Sequence, residues 1–215
     1  MLENNYILVI AVLFIGYLFG CFSTAYFVGK ANHIDIRAYG SGNAGTTNAM
    51  RTLGKKAGII TYLGDFLKAV IPILLAKFFV LSGNQDADLI CLVLGLGAVL
   101  GHNYPVWLKF KGGKGIAVTS GVFIAVVPQI AVFALIMFVL ISLISKYISL
   151  ASICAILFAG TWMMIYYDFK IAYVIVIAFY ILLALWQHRA NIVRLLHGTE
   201  NKIGQHKPPL VEKTK

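Results

Sequence analysis

Residues 40–51 read GSGNAGTTNAMR, a run of small, hydroxyl and amide side chains closed by an arginine. Glycine permits positive φ and close backbone approach, so N–H groups around Gly42 and Gly45 can converge on an anion, with the Arg51 guanidinium as a bidentate fork. The chemistry implied is a phosphate cradle. Gly40, Gly42 and Gly45 formally match G-x-G-x-x-G, and Asp65 follows at the distance of a ribose-binding acid. That match is discounted, because a dinucleotide site needs a strand and a βαβ unit where this chain has long apolar runs. Gly45 is followed by two threonines, so the Walker A pattern fails as well. The plainer alternative is a flexible interhelical loop.

A second polar segment, GHNYPVWLKFKGGKG, sets Lys109, Lys111 and Lys114 among Gly112, Gly113 and Gly115, just ahead of a predicted helix from Ile116. Free N–H groups, helix dipole and ammonium charge add together at such a place to attract an anion. An ordinary basic loop is the competing explanation. In the third segment, QHRANIVRLLHGTENKIG, His188, Asn191 and Leu195 fall on one helical face, so His188 and Asn191 can point together into a polar cavity. No histidine pair has metal-ligand spacing, and no metal or cofactor is expected. Asp65 and Lys68, three apart inside an apolar run, form an intramembrane pair that is either functional or a snorkelling interfacial pair.

These segments must be positioned by a membrane-embedded scaffold. Of 215 residues, 60% are hydrophobic and 12% charged, and the mean hydropathy is +0.85. Such values exclude an ordinary soluble domain. The net charge of +10 is explained by loop topology and anionic headgroups, and no nucleic-acid partner is implied. Cys21, Cys91 and Cys154 stand isolated in apolar runs, which argues against disulfides and zinc. The first apolar run carries no preceding Lys or Arg, so it is expected to remain as a transmembrane helix rather than be cleaved.

The fold expected is an all-α polytopic membrane protein of about seven transmembrane helices. Apolar runs cover residues 6–28, 57–81, 89–100, 116–127, 129–145, 149–167 and 171–186. The third and fourth, about 12 residues each, are too short to span 30 Å of hydrocarbon, and are expected to carry the polar loop between them into the bundle. Fifteen of the eighteen basic residues lie in residues 30–56, 102–115, 145–149 and the C-terminal tail. The positive-inside rule then puts the N-terminus outside and the C-terminus, with all three polar segments, in the cytoplasm. The whole chain, 1–215, is expected to be one domain with motif segments 31–56, 102–115 and 187–204 and a flexible tail at 205–215.

GSGNAGTTNAMRTLGKKAG, GHNYPVWLKFKGGKGIA and QHRANIVRLLHGTENKIG together, with the GDFLKA element at residues 64–69, closely resemble the bacterial acyl-phosphate:glycerol-3-phosphate acyltransferase family, often called PlsY. Thr46 stands where that family commonly has alanine. The resemblance implies transfer of a fatty acyl group from acyl phosphate to the 1-hydroxyl of sn-glycerol 3-phosphate, giving lysophosphatidic acid and phosphate at the cytoplasmic membrane. It assigns Ser41, Asn43, Gly45, Thr47 and Asn48 to the phosphate and carbonyl cradle. Arg51, Lys111 and Lys114 neutralise phosphates, and His188 and Asn191 hold glycerol 3-phosphate. His188 is the base, or it orients a hydroxyl whose proton goes to the donor's own phosphate. Glu200 orients a lysine or binds a glycerol hydroxyl. The partners implied are the two substrates and membrane lipid, and the chain is expected to act as a monomer. A small organophosphate transporter is the other class considered, but no inverted repeat is evident and the polar motifs share one side.

Overall fold

The computed structural model describes residues 6–204; the expected flexible tail at 205–215 lies outside them. Among the described residues the regular secondary structure is entirely helical. The long elements are α1 (Tyr6–Gly20), α4 (Lys55–Leu75), α5 (Ala87–Asn103), α6 (Ile116–Val126), α7 (Pro128–Ser145), α8 (Ile148–Tyr166) and α9 (Ile171–Gln187). Shorter helices α2 (Thr24–Ala31), α3 (Thr46–Leu53) and α10 (Arg189–Leu196) lie beside the polar segments. In hydrocarbon every backbone amide must be paired within its own segment, and long apolar helices satisfy that demand.

Five helices or continuous helix pairs are long and apolar enough to cross a membrane, and α9 with α10, bent by 59°, supplies a sixth if counted as one span. With α6, which at 11 residues is short as expected, seven apolar helices are present among the described residues. The other run expected to be short is not. It begins at Ala87 and continues through Gly101, His102 and Asn103 to make 17 residues. Those polar residues are buried against neighbouring helices, so the helix outlasts its apolar sequence.

Helix α5 is the axis of the bundle, buried along most of its length. It packs backbone to backbone on α1 through paired small-residue stripes. A Cβ at Gly97 would lie 2.1 Å from the Leu13 carbonyl oxygen, and one at Gly20 would lie 2.0 Å from that of Ala98. Close approach of this kind brings dispersion contacts that lipid cannot supply. On the other side of α5, buried Tyr180 of α9 donates to the Leu92 carbonyl at 2.7 Å and packs against Phe123 of α6. The outward faces of α1, α4, α7 and α9 carry large exposed apolar side chains, as lipid requires.

Candidate active site

The three polar segments meet at one end of the bundle. Residues 40–45 form a tight loop ahead of α3. Gly40 has φ +60, and a Cβ there would meet Asn48 Oδ1 at 2.2 Å, so no other residue fits. Asn48 is fully buried, accepts from the Ser41 N–H at 2.8 Å, and donates to the Ile36 and Tyr39 carbonyls at 3.0 Å each. Its amide folds the loop from within and does not face a ligand, unlike the cradle role expected of it. Ser41 and Thr47 are exposed, Asn43 is half-buried, and Gly45 caps α3 in extended conformation. Thr46 opens α3 with a buried hydroxyl that has no partner among the described residues.

The glycine loop after α5 lies against this one. Ala44 N–H donates to the Gly112 carbonyl at 3.3 Å, while the Gly112 and Gly113 N–H groups donate to the Asn103 and His102 carbonyls at 3.1 and 3.0 Å. Lys109 and Phe110 both take positive φ, which turns the chain sharply between the lysines. Lys111 and Lys114 have different neighbours. Lys111 lies with Arg37, Lys109, Trp107 and Tyr26 around a separate hollow of about 460 Å³. Lys114 alone of the loop lysines joins the third segment.

There Lys114 donates to Asn191 Oδ1. Asn191 in turn donates to Glu200 Oε1 at 2.7 Å, and Ser149, in the first turn of α8, donates to the same oxygen at 3.0 Å. Arg194 closes the chain on Glu200 Oε2 at 2.7 Å. Burial favours the neutral acid at Glu200, but hydrogen bonds from Asn191, Arg194 and Ser149 outweigh it and hold the carboxyl below its usual range. Burial pulls Lys114 down to about 8; Glu200 opposes that, while Arg194 and Arg51 add to it. Arg51 has no hydrogen bond or ion pair among the described residues, so its guanidinium is available.

His188 sits at the break between α9 and α10 and is buried. Its Nδ1 lies 2.8 Å from the Ala184 carbonyl. A carbonyl can only accept, so Nδ1 carries the proton and Nε2 is left with its lone pair. The expected single helical face for His188 and Asn191 is thus a bent one. Arg194 and Ser149 were not singled out from the sequence. Arg194 stands three residues from Asn191 and could have been found by spacing, whereas Ser149 is a lone serine in an apolar run and carried no signal.

Comparison with known proteins identifies the family. The model of the glycerol-3-phosphate acyltransferase family matches residues 10–198. The chain belongs to that family. It is 44% identical to the glycerol-3-phosphate acyltransferase of Clostridioides difficile (strain 630) over 92% of this chain and 97% of the relative. With that of Thermoanaerobacter sp. (strain X514) it shares 45% identity over 89% and 93%. The crystal structure of PlsY, an integral membrane glycerol 3-phosphate acyltransferase, in its glycerol 3-phosphate form superposes with TM-score 0.82 and 36% identity, covering 91% of this chain and 96% of that one. Its lysophosphatidic acid form gives 0.80. The chain is accordingly a multi-pass membrane acyltransferase.

Proposed function

We propose that the protein transfers a fatty acyl group from acyl phosphate to the 1-hydroxyl of sn-glycerol 3-phosphate, releasing lysophosphatidic acid and phosphate. One observation carries the reading. The Lys114 ammonium stands two residues from Ile116, which lines an apolar crevice between α4, α6, α7 and α8 with Tyr62, Phe123, Leu135, Phe138 and Ile156. A cationic head group beside an apolar slot suits a lipid with a phosphorylated end.

Lys114, Arg51 and Asn191 hold phosphate, and the exposed Ser41 and Thr47 hydroxyls with Asn43 and the Gly45 region form the rest of the cradle. Asn48 shapes that cradle, Glu200 fixes Asn191, and Lys111 attracts anions from the neighbouring hollow. The glycerol oxygen attacks the acyl carbon, an ester C–O bond forms, the anhydride C–O bond breaks, and phosphate leaves with its electron pair. The hydroxyl proton passes to His188 Nε2 or to the departing phosphate. Acyl phosphate is already activated, so no covalent enzyme intermediate is required, and positioning with charge stabilisation suffices.

The active site faces the cytoplasm with the N-terminus outside, in the cytoplasmic membrane of a bacterium. The basic loops at the motif end support this orientation. The protein acts as a monomer on this reading, with Lys114, Asn191, Glu200, Ser149 and Arg194 joined within one chain. The test is lysophosphatidic acid formation by purified protein given acyl phosphate and glycerol 3-phosphate, with His188→Ala beside it. A loss of about 10²–10⁴ in kcat identifies the base, a raised KM alone identifies a binding group, and no product from a verified donor sinks the proposal.

A further inference from the structure

Inside the bundle, below the glycine loop, lies a second polar cluster that the reaction does not use directly. Lys68 Nζ reaches three acceptors: the Phe22 carbonyl at 2.6 Å, Asp65 Oδ1 at 3.0 Å and His102 Nδ1 at 2.9 Å. An ammonium has three donors and no acceptor, so all three are occupied and its direction is fixed. Asp65 Oδ1 also accepts from Thr24 at 3.1 Å, where α2 crosses α4. Asp65, His102 and Thr24 are buried, and Lys68 is nearly so.

Because His102 Nδ1 accepts from Lys68, its ring proton is on Nε2 and its ring cannot turn without breaking that bond. The Nε2 edge is the floor of the glycine loop. A Cβ placed on Gly113 would lie 2.1 Å from Nε2 and 2.8 Å from the Ala44 carbonyl oxygen. The His102 carbonyl accepts the Gly113 N–H at 3.0 Å. Gly113 therefore lies between the ring below and the 40–45 loop above, and Lys114 is the next residue.

We propose that Asp65, Lys68 and His102 are positioning residues that set the height of the glycine loop, and so place the Lys114 ammonium against Asn191 and the substrate phosphate. The cluster ties the break between α1 and α2, helix α4, the end of α5 and the loop into one rigid unit. A buried ion pair is a poor source of stability, since apolar replacements of like volume often fold as well. Placement is what its directed hydrogen bonds supply. This proposal rests on the reading that Lys114 holds the phosphate of glycerol 3-phosphate.

The experiment is a double-mutant cycle on kcat/KM for glycerol 3-phosphate. His102→Asn keeps an amide oxygen where Nδ1 lies, preserving the acceptor for Lys68, but removes the ring edge under Gly113. Asp65→Asn with Lys68→Met removes both charges together, and no partner of Asp65 Oδ2 is lost because none is present among the described residues. In the wild-type background each change is expected to lower kcat/KM about 10-fold or more while the melting temperature stays within a few degrees. In a Lys114→Ala background, or Lys114→Arg if the alanine variant is too slow to measure, the same changes cost less than about twofold. Losses that multiply in full in that background, or a folded His102→Asn variant with unchanged kcat/KM, overturn the proposal. A Lys114→Ala variant with wild-type kcat/KM instead overturns the reading it rests on.

Discussion

Two clusters at opposite ends of the bundle are built from the same parts. At the far end, Lys77, in the π-helical turn Ala76–Val80 that extends α4, pairs with Asp88 of α5 at 2.9 Å and reaches the Val126 carbonyl at 3.3 Å. Tyr167 takes the other Asp88 oxygen at 3.0 Å. At the motif end, a lysine, a carboxylate and a hydroxyl again join separate helices, through Lys114, Glu200 and Ser149. The difference lies in what is left over. The far cluster mostly satisfies itself, with both carboxylate oxygens engaged and the lysine shared between two acceptors. The motif cluster saturates its carboxylate but, among the described residues, leaves Lys114 with one hydrogen-bond acceptor and Arg51 with none. Charges with donors to spare beside a cavity make a binding site, whereas charges that satisfy one another make a clasp.

The contrast is sharpest for the two lysines. Lys114→Ala is expected to lower kcat/KM for glycerol 3-phosphate by about 10²–10³ with little change in melting temperature. Lys77→Ala is expected to leave kcat/KM within about twofold and to cost about 1 kcal/mol of stability, its ion pair being partly exposed. Comparable activity losses in steady-state assays of the two would dissolve the distinction. Glu200→Gln comes next. Its amide opposes a donor to Arg194 or Asn191, so kcat/KM should fall about 10-fold through a loosened Asn191.

The pH profile tests the same point with a smaller change. On the proposed reading Lys114 binds phosphate when protonated, and burial pulls its value down to about 8. It is thus cationic well below pH 8, half so near 8 and neutral well above, so kcat/KM for glycerol 3-phosphate should bend downward as pH rises through that value. Glu200 raises the Lys114 value, so Glu200→Gln should move the bend to lower pH, and Lys114→Arg should remove it. A bend that ignores both substitutions belongs to some other group. Within the Lys114 network the smallest effect is expected of Ser149→Ala, a few-fold loss in rate, because Glu200 Oε1 still accepts from Asn191. A loss as large as that of Glu200→Gln would mean that Ser149 itself touches substrate.

Much of this site was legible in advance, and the parts that were not share one cause. Ser41, Arg51, Lys114, His188 and Asn191 stood out because polar, glycine-rich segments are conspicuous among apolar runs. Asn48 looked like a cradle residue, and only the inward face of α3 shows that its amide is taken by the Ile36 and Tyr39 carbonyls. Lys111 and Lys114 looked equivalent three residues apart, yet Lys111 lines the hollow beside Arg37 and Trp107 while Lys114 donates to Asn191. The end of α5 was hidden because His102 and Asn103 are polar yet buried, and hydropathy does not register such burial; Lys68 partners the His102 ring, while the Asn103 side-chain amide has no partner among the described residues.

By itself the sequence determined that this chain is a helical membrane bundle with its anion-binding chemistry gathered in three polar segments. Hydrocarbon imposes that outcome locally, since each span must be apolar and must pair its own backbone amides. Which polar groups bind one another and which stay open to a ligand was decided only by tertiary structure. Saturation depends on distances between atoms far apart in the chain, such as Lys114 with Asn191 or Ser149 with Glu200, and no local rule sets those.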